Sequence, residues 1–145
     1  MRILVIDGQG GRLGRQLVES LRAAMPDALI HAVGTNSVAT ATMLKAGADD
    51  GATGTNPVVV AARKADVITG PIGIVIADSL MGEVTPEMAV AVAQSDAVRV
   101  LIPMNLCDNL VAGLTAQSVN ELIADAVDKI IKSARKCEKP EIRAI

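Results

Sequence analysis

The chain has 145 residues, a formal net charge of −2, a sequence pI of about 5.3, and a composition that is 50% apolar without any Phe, Tyr or Trp. That length suits one domain burying roughly 70% of its unfolded surface, and with neither a basic stripe nor an aromatic for bases to stack on, nucleic acid is excluded as a partner. The longest early apolar run, Ile3 to Ile6, is far too short for a signal core or a membrane span, and Cys107 and Cys137 form neither a disulfide framework nor a C-x-x-C metal knuckle, so a reduced cytoplasmic setting with no membrane and no metal is expected.

Apolar runs alternate with helical spacing, the pattern of a parallel α/β sheet. The first strand reads Ile3 to Asp7, and the helix after the glycine-rich turn carries Leu13, Leu17, Val18, Leu21 and Met25 before Pro26 ends it. A second strand covers Ala28 to Gly34, followed by a helix capped by Thr35 or Asn36 and closed by Gly47. Asn56 and Pro57 open a third helix, Val58 to Ala65, and Asp66 to Gly70 is read as the third strand. Pro71 to Met81, apolar apart from Asp78 and Ser79, is read as a short helix, and Thr85-Pro86-Glu87 opens another that reaches Gln94. Val98 to Ile102 and Leu110 to Gly113 are read as the last strands, and the capping box Ser118-Val119-Asn120-Glu121 starts a final amphipathic helix. The expected fold is α/β: a Rossmann-like three-layer domain over residues 1–134, with a parallel sheet of about five strands in the order 3-2-1-4-5. A charged tail, 135–145, follows. In that order the loops after the strands face one crevice.

The turn after the first strand carries the most specific signal. Gly8, Gly11 and Gly14 are spaced G-x-x-G-x-x-G with Gly10 extra; the third glycine of a strict G-x-G-x-x-G would fall on Leu13. Gly8 turns the chain, Gly10 and Gly11 admit a diphosphate, and Gly14 permits close helix–strand packing. Backbone N–H groups and a positive helix end meet there, which suits a nucleotide, although a tight turn without a ligand is the plain alternative. Gly8, Gln9, Gly10, Gly11, Arg12, Leu13 and Gly14 therefore head the candidate cofactor site, with Arg15 beside them. Thr35 and Asn36 join from the second strand, Gly70 and Pro71 from the third, and Asn105, with Cys107 nearby, from the fourth. No Asp or Glu stands at the tip of the second strand to hold an NAD ribose, so NADP is preferred to NAD. Gly51 to Asn56 is a second glycine-rich approach to a helix, read first as a surface loop and cap, with a second anion such as a substrate carboxylate or phosphate as the alternative.

The run Gly8-Gln9-Gly10-Gly11-Arg12-Leu13-Gly14-Arg15 resembles the cofactor loop of dihydrodipicolinate reductase, G-x-x-G-R-M-G-R, and differs mainly at Leu13. The resemblance implies a nicotinamide dinucleotide but reaches little beyond the first strand and helix, and the reductase's His-rich motif is absent. A second resemblance spans nearly the whole chain. Gly34-Thr35-Asn36, Met43 to Ala48, Gly51 to Asn56, Gly70-Pro71-Ile72-Gly73 and Gly82 to Pro86 are similar to a short uncharacterised bacterial family associated with anaerobes. It implies a compact standalone protein and supplies no activity.

Catalytic residues are not identifiable. Without Tyr there is no Tyr-x-x-x-Lys pair, His31 reads as a packed strand residue, and Asp49-Asp50 reads as a solvated loop pair. Asp78, Glu83 and Lys64 are general acid or base candidates only through their nearness to loops. The expected function is an NAD(P)-binding module acting as a sensor or regulator. The alternative is an NADP-dependent oxidoreductase whose site is completed across a homo-oligomer interface. A mean hydropathy of +0.40 in so small a domain also points to a buried interface, most simply a dimer.

Overall fold

Ile3, Leu4, Val5 and Ile6 are all buried, so the first strand is covered on both faces, as a central parallel strand must be. In the computed structural model, which describes residues 1–104 and 108–138, this strand (β1, Arg2–Asp7) is the middle one of a five-stranded parallel sheet. The others are β2 (Leu29–Gly34), β3 (Asp50–Thr53), β4 (Val67–Pro71) and β5 (Val98–Ile102), in the order β3-β2-β1-β4-β5. The register aligns Ile3 with Ile30 on one side and with Val67 on the other. Helices α1 (Arg12–Ala24), α2 (Ser37–Lys45) and α5 (Val119–Glu138) cover one face, where Ile3, Val5, Leu17, Leu21, Met43 and Ile130 share a core. Helices α3 (Thr55–Ala62) and α4 (Pro86–Gln94), with a 3-10 turn at Ile72–Val75, cover the other around Leu4, Ile6, Val58, Ile68 and Val92. No helix among the described residues is long and apolar enough to cross a membrane.

The three-layer class and the 3-2-1-4-5 order are those expected, but different segments fill the third, fourth and fifth strand positions. β3 lies in the stretch read as an acidic pair and a glycine-rich loop; all four of its residues are exposed, so no alternation marks it. Asp66 to Gly70, read as the third strand, is the fourth, and pairs with β1 on the side away from β2. Leu110 to Gly113 is exposed turn, not strand. Within Pro71 to Met81, Pro71 ends β4, Ile72–Val75 is the 3-10 turn and further turns follow, and α5 passes the expected boundary at 134 to reach Glu138. Residues 139–145 of the tail, and Asn105 with Cys107, lie outside the described residues.

The caps explain why several helices start where they do. Asn36 accepts at its side-chain oxygen from Ala39 N–H at 2.9 Å, and Thr85 accepts from Met88 N–H at 3.2 Å with Pro86 at the first helical position. Ser118 and Glu121 exchange the two bonds of a capping box at 3.0 and 3.2 Å.

Candidate functional site

β1, β2 and β4 all end at one mouth, on either side of the point where the sheet order reverses. β1 ends in Asp7, which is only 6% exposed. Its carboxylate accepts from Gly8 N–H at 2.8 Å and from Gly14 N–H at 2.7 Å, tying the strand end to the first turn of α1. Burial pushes the Asp7 carboxyl up from its ordinary value, against the lowering by the Gly14 and Gly8 N–H groups, and the negative charge of Glu83 pushes the same way as burial. Gly14 must be glycine here: a Cβ would lie 2.9 Å from that of Asp7 and 2.5 Å from Met43 Sδ. Gly11 caps α1 in a left-handed conformation (φ 72°) and donates to Gly8 C=O at 2.9 Å.

After β4 the chain passes the 3-10 turn and folds back on itself. Asp78 N–H donates to Val84 C=O at 2.7 Å, Val84 N–H to Ser79 C=O at 3.2 Å, and the Ser79 hydroxyl to Gly73 C=O. Closing this loop places three residues with side chains, Asp78, Leu80 and Met81, at φ 64°, 54° and 57°, a conformation that costs of order 1 kcal/mol for each. The loop sets Glu83 across the mouth. Its carboxylate accepts from Gln9 N–H at 3.1 and 3.2 Å, from Thr35 Oγ1 at 2.9 Å and from Asn36 Nδ2 at 2.6 Å. Asn36 Nδ2 also donates to Gln9 C=O at 2.9 Å, so the two loops are joined directly. Burial acts on Glu83 upward, but the bonds from Asn36, Gln9 and Thr35 together outweigh it and hold the carboxyl below its ordinary value.

The structure thus brings Gly8, Gln9, Thr35 and Asn36 together and adds Asp7 and Glu83 to them. Arg12 is exposed on the first turn of α1, and Gly10 has open space where a Cβ would stand. Leu13 packs against the core, and Gly70 and Pro71 are buried below the mouth, with Gly70 pressed close to Ile6 C=O. Lys64 lies at the far end of α3, and Asp78, exposed, is bonded into its turn through its backbone N–H and C=O. His31 is paired with Asp50 rather than packed in the core, and Asp49 is paired with Arg22 at 2.7 Å, so the acidic pair is not simply solvated. Asp7 had a readable signal, an acid closing an apolar strand against a glycine turn. Glu83, singled out only for its nearness to a loop, had no signal for this contact, since its partner Gln9 is 74 residues away.

This layering, with a glycine turn at the end of the central strand, defines a Rossmann-like α/β protein. The chain belongs to the family described as "Domain of unknown function (DUF3842)", which matches residues 2–135. No curated protein matches it in sequence. Among solved structures it is similar to the dodecameric FMN-dependent Ubix-like decarboxylase from Escherichia coli O157:H7, with 16% identity and a TM-score of 0.46 over 93% of this chain and 95% of that one.

The expected NAD(P)-binding module, with NADP ahead of NAD, and the alternative NADP-dependent oxidoreductase are both corrected. The similar solved structure is described as FMN-dependent, and in this chain four N–H groups of the turn are already engaged within the protein. Gly8 and Gly14 donate to Asp7, Gly11 donates to Gly8, and Gln9 donates to Glu83. The likeness to the dihydrodipicolinate reductase loop is one of glycine spacing, and its cofactor does not come with it.

Proposed function

We propose that the mouth formed by Gln9, Thr35 and Asn36 binds the phosphate monoester of a small ligand, and that Glu83 is the group such a phosphate displaces. One observation carries this reading: an anion already sits there, the carboxylate of Glu83, held by a backbone N–H, a hydroxyl and a side-chain amide. Donors arranged for a carboxylate oxygen also suit a phosphate oxygen. The starts of α1 and α2 both open on the mouth, and their dipoles favour negative charge. Exposed Arg12 lies next to the open space at Gly10. Flavin mononucleotide, on which the similar decarboxylase depends, carries such a monoester and serves as the first probe.

The test is calorimetric titration of the protein with flavin mononucleotide and with inorganic phosphate. Glu83→Gln removes the competing charge, so its affinity for either probe is expected to rise about tenfold, equivalent to about 1.4 kcal/mol. Asn36→Ala is expected to lose binding. If neither probe binds wild type or Glu83→Gln below about millimolar, roughly −4 kcal/mol, Glu83 is only a structural clasp and the reading fails. We also read the chain as self-associating, from its apolar composition, and the phosphate site does not depend on that.

A further inference from the structure

The helices on the two faces of the sheet are dressed differently. α1 and α5 turn charge outward, through Arg15 and Glu19 on the one and the ion pairs Lys129–Asp125 and Lys132–Asp128 on the other. α3 contains no charged residue, and α4 contains only Glu87. A helix that is apolar all round is expected to have protein on both sides, yet Val60 is 39% exposed and Val90 51%. Between α3 and α4 lies a groove of about 570 Å³ lined by Val59, Ala62, Val90 and Ala91. Across α3 a second groove, of about 720 Å³, runs over β2 and β3, where Leu29 is 47% exposed. The result is an aliphatic strip from α4 to the sheet edge, bordered there by Arg2, Lys64 and the His31–Asp50 pair.

The strip is also polarised. α3 and α4 run side by side in the same direction, joined at their starts by Thr55 Oγ1 and Thr85 Oγ1 at 3.1 Å and at their ends by Ser95 Oγ donating to Ala62 C=O at 2.6 Å. Glu87 therefore stands at the starting end, and Arg63 with Lys64 at the finishing end, beside Asp66, which accepts from Arg2 N–H, and the exposed Asp96.

We infer that this face docks a second copy of the chain about a two-fold axis perpendicular to the helix pair. The inference rests on the reading that the chain self-associates, and says where. A half-turn reverses the direction of the helices, laying Glu87 of each copy toward Arg63 and Lys64 of the other while the valines meet in the middle. A second copy supplies this complementary charge pattern by symmetry. A standard interface buries roughly 800 Å² per partner, which helices only about 12–14 Å long do not reach alone, so the strip at Leu29 belongs to the contact.

Sedimentation velocity of the full chain, from micromolar to hundreds of micromolar, tests the inference. Wild type is expected at twice 14.9 kDa, and Val60→Asp with Val90→Asp as a folded monomer. Arg63→Glu is expected to weaken the dimer about tenfold, and adding Glu87→Arg to restore it. A wild type that remains monomeric removes self-association altogether. A dimer that survives the valine substitutions leaves self-association standing and overturns this face as its site. If the valine variant does not fold by circular dichroism, the charge pair decides: failure of the double exchange to restore the dimer overturns the two-fold arrangement.

Discussion

Asn36 and Glu83, 47 residues apart in the chain, meet in a hydrogen bond of 2.6 Å from Asn36 Nδ2 to Glu83 Oε1. The same Asn36 caps α2 with its side-chain oxygen and donates to Gln9 C=O, so a single side chain joins a helix start, the glycine turn and the loop before α4. Removing Glu83 therefore loosens three elements at once. Glu83→Ala is expected to lower stability by about 1–2 kcal/mol in neutral buffer, since charge-assisted bonds are lost while water replaces part of them at this half-buried site. Urea unfolding measures it, and a value indistinguishable from wild type would show that the clasp contributes nothing.

Acid should weaken the same clasp. The Glu83 carboxyl is held below its ordinary 4.5, so its contribution is complete above that value and is lost as pH falls through the lower folded-state value. Asp7 works in the opposite sense: its carboxyl is raised from 3.8, so the penalty for burying its charge is present at neutral pH and relieved on acidification. The stability difference between wild type and Glu83→Gln is thus expected to shrink below pH 4.5. Urea midpoints measured across the acid range check this, and a constant difference would count against it.

The glycines of the turn are expected to respond unequally. A Cβ at Gly10 meets nothing within 4 Å, so Gly10→Ala should change stability by no more than about 0.5 kcal/mol. Gly14→Ala forces a Cβ against Asp7 and Met43 and should cost about 1–3 kcal/mol. Thermal unfolding of the two variants distinguishes them, and equal losses would mean that the turn is not packed as described.

Edge strand β3 depends on a pair of residues outside it. Asp49 accepts from Ile30 N–H at 2.7 Å and from Arg22 Nη2 at 2.7 Å, and the Arg22 guanidinium also donates to the carbonyls of Pro26, Ala28 and Gly47. Arg22→Ala is expected to speed amide exchange in Asp50–Thr53 by about tenfold, equivalent to about 1.4 kcal/mol of local opening. Arg22→Lys should not repair it, because an ammonium lacks the planar fork that reaches several acceptors together. Exchange rates at β3 that match wild type in Arg22→Ala would refute the anchoring.

What could be read in advance followed from local chemistry. The run Ile3 to Ile6 identified the central strand, and Asn36, Thr85-Pro86 and Ser118 to Glu121 identified helix starts, because each acts on N–H groups within three or four residues. β3 was not legible, since Asp50, Gly51, Ala52 and Thr53 are strand residues through pairing with β2 and not through burial of their own. Leu110 and Val111 misled in the opposite direction, being apolar residues with no core beneath them. The glycine spacing pointed to the turn after β1 but could not show that Asp7 and Glu83 accept from Gly8, Gly14 and Gln9 there. Spacing records where N–H groups are, not what they bond to.

The loop that carries Glu83 is pinned on both sides by buried Leu80 and Val84, and Val84 is followed directly by the cap residue Thr85. The backbone on either side of Glu83 is therefore anchored in the core within three residues. The carboxylate can leave Gln9, Thr35 and Asn36 by rotation about the side-chain bonds of Glu83 alone, a motion of picoseconds to nanoseconds once its contacts break. On the proposed phosphate reading the mouth would work as a swivel and not as a lid, and binding is expected to meet no slow opening step.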